Sequence, residues 1–204
     1  LKIILATYNN HKVIEIKKIL KMKGVTILSL ADFAQKLRTS ENGRTFRENA
    51  LKKAGAAAKK FNMTAVADDS GLCVDALDQG PGVRSARYVR PPVTTKRLCQ
   101  KLLKAMSSVP DGKRGARFVC AVAIVDPSMR SKVLTGVCQG RIVSGMKGVC
   151  GFGYDSVFVP KDHSKTFAQM TTEKKNRLSH RGRAFEQAKK VLRRMIKYGM
   201  AQEQ

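Results

Sequence analysis

The stretch Thr64 to Asp75, Thr-Ala-Val-Ala-Asp-Asp-Ser-Gly-Leu-Cys-Val-Asp, constrains this chain more than any other. A short run of β-formers, Thr64 to Ala67, leads directly into two adjacent carboxylates, Asp68 and Asp69. It reads as a strand that ends at the acids and then turns at Gly71, where a missing Cβ allows positive φ. Side chains alternate along a strand, so one aspartate would face a ligand and the other brace the loop. Adjacent carboxylates repel, and one is driven toward protonation unless a cation shares the site; a divalent metal is the natural guest. A solvated Asp-Ser-Gly corner accounts for the same residues equally well.

The length of 204 residues suits one domain or two closely joined lobes, and 43% hydrophobic against 27% charged residues describes a globular chain. No apolar run approaches the roughly 20 residues of a membrane helix, so no membrane partner is expected. The opening Lys2 to Thr7 is too short for a secretory core and runs straight into polar residues. The chain opens on Leu1 in place of Met, which leaves its native N-terminus open. Cys73, Cys99, Cys120, Cys138 and Cys150 are odd in number and scattered, without a Cys-x-x-Cys pair. Thiols in a reducing cytoplasm are therefore expected, with neither a disulfide framework nor a zinc site.

A net charge of +25 favours anionic partners: nucleic acid, acidic membranes or phosphorylated small molecules. Basic residues thicken after Lys174, with Lys189, Lys190, Arg193, Arg194 and Lys197 on a C-terminal helix. Such runs are most often solvated helix faces. The sequence has no tryptophan, zinc-finger pattern or aromatic-rich strand, so nucleic-acid binding is possible from charge but not expected.

Along the chain, an apolar strand from Lys2 to Thr7 passes through a polar turn into a helix marked by Val13, Ile16, Ile19 and Leu20. Free N–H groups at a helix start make an anion site, to which Thr7 and Asn9 add neutral donors and Lys12 a mobile charge. An Asn-rich helix cap is the plainer alternative, and the pattern is no Walker loop. Val25 to Leu30 reads as a second strand. Thr45 and Glu48 form a capping box for a helix to Phe61, packing through Leu51, Ala54, Ala58 and Phe61. Glu41 has no local structural task and is either a loop carboxylate or a second metal ligand. Gly80 to Tyr88 is dense in turns, and Thr94 or Thr95 opens a helix that stops near Pro110. Arg117 to Asp126 and Lys132 to Val143 read as antiparallel partners across an Asp-Pro-Ser turn, before a glycine-rich segment from Gly145 to Gly153. Early alternation of strand and helix with later hairpins gives an α/β fold with an added lobe.

Six segments in order are Leu-Ala-Thr-Tyr-Asn-Asn-His-Lys at 5–12, Thr-Phe-Arg-Glu-Asn-Ala at 45–50, Ala-Asp-Asp-Ser-Gly-Leu at 67–72, Ser-Ala-Arg-Tyr at 85–88, Gly-Phe-Gly-Tyr-Asp at 151–155 and Ser-His-Arg-Gly at 179–182. On them the chain resembles, almost end to end, the inosine/xanthosine triphosphate pyrophosphatase family. The resemblance implies hydrolysis of non-standard purine nucleoside triphosphates (ITP, dITP, XTP) to the monophosphate and pyrophosphate. It implies an elongated α/β mixed-sheet fold, one domain over residues 1–204 with two lobes around a substrate cleft, commonly a cytoplasmic homodimer. Thr7, Asn9 and Lys12 match its triphosphate-binding turn. Glu41 and Asp69 match its Mg²⁺ carboxylates, and Asp69 also matches the base that activates water. Asp68 and Lys53 fall close to the metal and phosphates, and Ser70 matches a substrate contact. Phe152, Gly153, Tyr154, Asp155, Lys175, His180 and Arg181 match the segments enclosing the purine, with Asp155, His180 and Arg181 as candidate edge readers.

The chain departs from the family pattern at His11, often glycine, Ser156, usually proline, Gln169, usually glutamate, and Arg84, commonly apolar or tyrosyl. The high positive charge is also unusual for the family. Two other readings compete. One is a pyrophosphatase for a modified pyrimidine or methylated nucleotide, against which the segments at 151–155 and 179–182 speak. The other is a basic nucleic-acid-binding protein on a degenerate version of the scaffold, against which the intact acidic set and Lys12 speak.

Overall fold

The computed structural model describes residues 1–199. Strand β1 (Lys2–Leu5) is followed by helix α1 (Asn10–Ile19), β2 (Thr26–Ser29), α2 (Phe46–Phe61) and β3 (Thr64–Val74). Then come α3 (Thr95–Ala105), β4 (Gly115–Val125), β5 (Ser131–Ile142), β6 (Phe158–Pro160), α4 (Thr172–Leu178) and α5 (His180–Gly199). The strands form one sheet in the order β2-β1-β3-β4-β5-β6. β1 runs parallel to both neighbours, with Ile4 beside Leu28 and Ala65, and β5 runs antiparallel to β6. The expected α/β class with a mixed sheet is what the chain adopts.

The chain divides into two compact units: residues 1–69, 120–136 and from 181 onward, and residues 70–119 with 137–180. The first is a three-layer sandwich written by period-2 alternation. Ile3, Leu5, Val66, Cys120, Val122 and Ile124 look to one side of the sheet, where α1 and α5 cover them. Ile4, Ala6, Ala65, Ala67, Ala121 and Ala123 look to the other, and there α2 packs through Ala50, Ala54, Ala57 and Ala58. Small side chains on both partners let that helix lie close to the strands. The stripe expected from sequence is thus partly right: Ala54 and Ala58 are buried, but Leu51 and Phe61 sit half-buried at its margin. The second unit has its own core, in which Phe118 meets Phe158 edge-on at 4.7 Å, beside Leu72, Leu102 and Phe167.

Several local expectations need correction. β3 does not stop at Ala67; it continues through both aspartates to Val74, and Gly71 is not among the residues of positive φ. Its side chains are buried on both faces along most of its length, which favours continued pairing over a corner. At α2, Thr45 caps Glu48 N–H at 3.1 Å, but the Glu48 carboxylate accepts from Arg44 N–H at 2.7 Å, so the reciprocal half of the box is displaced by one residue. Thr94 is the N-cap of α3, and that helix ends at Ala105, short of Pro110. Among the described residues no helix is long and apolar enough to cross a membrane.

Gly140 on β5 has no room for a side chain: a Cβ there would stand 2.2 Å from the Val159 carbonyl oxygen and 2.6 Å from the Phe158 ring. Gly140→Ala should therefore cost about 1–3 kcal/mol, read as a lowered midpoint in urea unfolding.

Candidate active site

The parity of β3 decides the layout. Val66 faces α1 and α5, so Asp68 does too; Ala65 and Ala67 face α2, so Asp69 does too. Each carboxylate makes its ion pairs with the cations of its own helix layer.

On the first face, Asn9 is the N-cap of α1, its side chain accepting from Lys12 N–H at 3.2 Å while its own N–H donates to Thr7 Oγ1 at 3.2 Å. The helix-cap reading of this turn is thus correct, and the cap fixes where Lys12 leaves the helix. Lys12 Nζ lies 3.0 Å from Asp68 Oδ2. Arg181, in the first turn of α5, sends Nη2 to the same oxygen at 3.4 Å and Nη1 to Glu15 Oε2 of α1 at 2.6 Å. Asp68, Glu15 and Arg181 are all buried. Burial alone would raise the Asp68 carboxyl, but Lys12, Arg181 and Lys53 outweigh it and hold the group well below the usual carboxylate range. Burial would likewise discharge Arg181, and Asp68 and Glu15 keep it charged.

On the second face, Asn49 of α2 donates to Asp69 Oδ2 at 3.0 Å and accepts from Gly43 N–H at 2.8 Å, tying the loop that carries Glu41 to the strand. Gly43 is needed there, because a Cβ would come within 2.6 Å of Asn49 Oδ1. Lys53 Nζ stands 2.8 Å from Glu41 Oε1 and 3.6 Å from Asp69 Oδ1. Burial raises the Asp69 carboxyl despite Lys53 and Asn49, which makes it the more basic of the two aspartates. Glu41 and Asp69 are hard oxygen donors gathered around one positive charge, a donor set that suits Mg²⁺ held by one or two carboxylates. Asp68, expected beside them, is turned to the opposite face. Among the described residues no group of three or more His, Cys, Asp or Glu is gathered as a metal site.

The second unit holds the segments expected around a purine. Lys175 Nζ, buried on α4, lies 2.7 Å from Asp155 Oδ2 and 4.9 Å from the centre of the Phe152 ring. The Phe152 N–H donates to the same Asp155 oxygen at 2.8 Å. Gly151, at φ +79°, leaves room for that carboxylate, which a Cβ would meet at 2.1 Å. Gly153 N–H donates to Thr95 Oγ1 at 3.2 Å, and Tyr154 Oη donates to the Ser85 carbonyl at 2.9 Å. His180 is buried and stacked on Phe118, centroids 4.6 Å apart. Ser70 is half-buried on β3. Ser156, where the family usually has proline, is buried with its hydroxyl 3.4 Å from Cys99 Sγ. Gln169 accepts from Thr166 N–H at 3.0 Å as a cap.

The sequence model of the Ham1 family matches residues 3–191. The chain belongs to the Ham1 family. It is 43% identical over 192 residues to a dITP/XTP pyrophosphatase of Oceanobacillus iheyensis, covering 94% of this chain and 98% of that one. It is 41% identical to a dITP/XTP pyrophosphatase of Bacillus subtilis, with 93% and 96% covered. Among solved structures, a HAM1 protein from Coxiella burnetii superposes with a TM-score of 0.86 at 37% identity, covering 95% of this chain and 99% of that one. In this Ham1 chain the residues expected at the triphosphate and metal fall in the first unit, and those expected at the purine fall in the second, except Arg181.

Two residues escaped the sequence reading. Glu15 is a carboxylate between the apolar positions of α1, where a buried charge signals a partner. Asn49 sits inside the quoted segment 45–50 and, as an amide one turn before Lys53, is placed to reach the same strand. The guanidinium of Arg181, expected at the purine edge, is paired with Glu15 and Asp68. Arg181→Met leaves two buried carboxylates short of their counter-charge and should cost about 3–5 kcal/mol near neutral pH. Asp68 titrates below its unfolded value near 3.9, so its share of this stability is full above about pH 4 and is lost as pH falls further. Urea unfolding of wild type and variant at pH 7 and pH 3 should therefore show the gap narrowing in acid.

Proposed function

We propose that this protein hydrolyses non-standard purine nucleoside triphosphates, ITP, dITP and XTP, to the monophosphate and pyrophosphate. The observation that carries the reading is the convergence of Glu41, Lys53 and Asp69, in a Ham1 chain whose relatives are named as dITP/XTP pyrophosphatases. Water attacks the α-phosphorus, the bond from that phosphorus to the α–β bridging oxygen breaks, and pyrophosphate leaves. Asp69, its basicity raised by burial, takes the proton of the attacking water. Lys53, kept protonated by the acids around it, and Lys12 offset the charge growing on the departing pyrophosphate. Mg²⁺ held by Glu41 and Asp69 would supply charge neutralisation at the phosphates and acidify the water. Asp68 acts from the other face by fixing Lys12, and Thr7 and Asn9 set the helix end that receives phosphate.

Phe152 offers its ring to the purine, and Lys175 and Asp155 fix the turn that carries it. Ser70, Gly153, Tyr154 and His180 complete the proposed substrate contacts. A donor placed for a 6-oxo group is left unpaired when a 6-amino base enters, a rejection of about 10⁴ in rate. The reading includes a single catalytic domain spanning both units and a homodimer working in the cytoplasm, all taken from the resemblance.

Pyrophosphate release from ITP, XTP, dITP, GTP and ATP, with Mg²⁺ and with chelator, tests the reaction. ITP, dITP and XTP should exceed ATP by orders of magnitude and all release should cease on chelation; equal release from ATP, or none from any, would end the proposal. Lys175→Met should raise KM for ITP about tenfold or more, as expected for loss of a hydrogen-bonded charge, with a smaller change in kcat.

A further inference from the structure

The excess of positive charge plays no part in the hydrolysis described above, and the fold gives some of it a place. Ile16 and Ile19 of α1 and Phe185, Ala188 and Leu192 of α5 are buried in a single cluster, so the outer faces of these two helices look out on the same side of the first unit. Those outer faces are basic: Lys17 and Lys18 on α1, and Lys190, Arg193, Arg194 and Lys197 on α5, are exposed. Spacings of three, four and seven residues put the four on α5 into one stripe. Acid is scarce beside them, since Glu15 of α1 is buried against Arg181 and the exposed Glu186 of α5 pairs with Lys189 at 2.9 Å.

From this arrangement we infer that the outer faces of α1 and α5 form a docking surface for the phosphodiester backbone of duplex nucleic acid, read without regard to sequence. From Lys190 to Lys197 the helix rises roughly 11 Å. Over that length duplex DNA carries about six phosphates, one charge per roughly 1.7 Å of axis, against four cations on the stripe. An acidic membrane is the lesser match, because a helix lying in a bilayer interface needs large apolar side chains beside its basic ones. As far as Lys197, α5 exposes no large hydrophobic side chain, and α1 exposes Ile14 alone. The stripe is built of ammonium and guanidinium groups, which makes charge the means of recognition. This surface is independent of the hydrolytic reading and stands or falls without it.

Fluorescence anisotropy with 20-base-pair DNA and RNA duplexes, at 50 to 200 mM salt, tests it on the full chain. With four to six phosphates neutralised, affinity should fall about 10²–10³-fold over that range, and both duplexes should bind within a few-fold of each other. The variant Lys190→Gln/Arg193→Gln/Arg194→Gln/Lys197→Gln should lose most of the binding and most of the salt slope while hydrolysing ITP like wild type. A control removes the same charge from exposed positions of the second unit, Arg84→Gln/Lys96→Gln/Lys104→Gln/Lys113→Gln, and should keep most of the binding. Absence of duplex binding at 50 mM salt, equal losses in the two variants, or stronger binding to phosphatidylserine vesicles than to duplex would each overturn the proposal.

Discussion

Two adjacent buried carboxylates on one central strand are the constraint from which most of the first unit follows. Neither Asp68 nor Asp69 is tolerable in that position without positive charge nearby, and the pleat forbids them from sharing one side. Each face must therefore be supplied separately. Lys12 and Arg181 bring α1 and α5 to Asp68, and Asn49 with Lys53 brings α2 and the Glu41 loop to Asp69. The apolar packing of the same helices, through the Ile, Leu and Phe cluster on one side and the alanine layer on the other, makes that supply geometrically possible.

The two aspartates thereby acquire different chemistry from identical side chains. Asp68 is surrounded by cations and stays ionised far into acid, which suits a fixed anchor and makes it a poor base. Asp69 has fewer compensating partners and is held more basic by burial. A similar economy governs the second unit, where one carboxylate, Asp155, holds both the backbone of Phe152 and the ammonium of Lys175. Its partners leave the ring and the charge close together.

Much of this was legible in the sequence because local rules were obeyed: apolar runs for β1 and β4, a Thr cap before α2, alternating faces for the two aspartates. The strand end placed at Ala67 was wrong because burial of its side chains on both faces accompanies β3 to Val74, past the end of its pairing with β1 at Val66, through residues that in isolation favour a turn. The helix stripe on α2 was half right: it placed Ala54 and Ala58 correctly but gave Leu51 and Phe61 equal weight and left out Ala50 and Ala57, because close approach to an alanine-rich sheet face makes the small residues the contact. The pairing of Arg181 with Glu15 and Asp68 could not be read at all, since these partners lie 166 and 113 residues away in sequence. Asn49 and Glu15 were visible as polar residues in helical packing positions, a signal that points to a partner without naming it.

The central claim is that the two aspartates of β3 divide the labour, Asp68 as the anchor and Asp69 as the base. It is tested most directly by measuring ITP turnover and urea stability together for Asp69→Asn and Asp68→Asn. The account predicts that Asp69→Asn keeps stability within about 1 kcal/mol of wild type while turnover falls by at least about 10³. Asp68→Asn should lose several kcal/mol of stability by leaving Arg181 under-compensated. Full turnover in Asp69→Asn, or unchanged stability in Asp68→Asn, would contradict it.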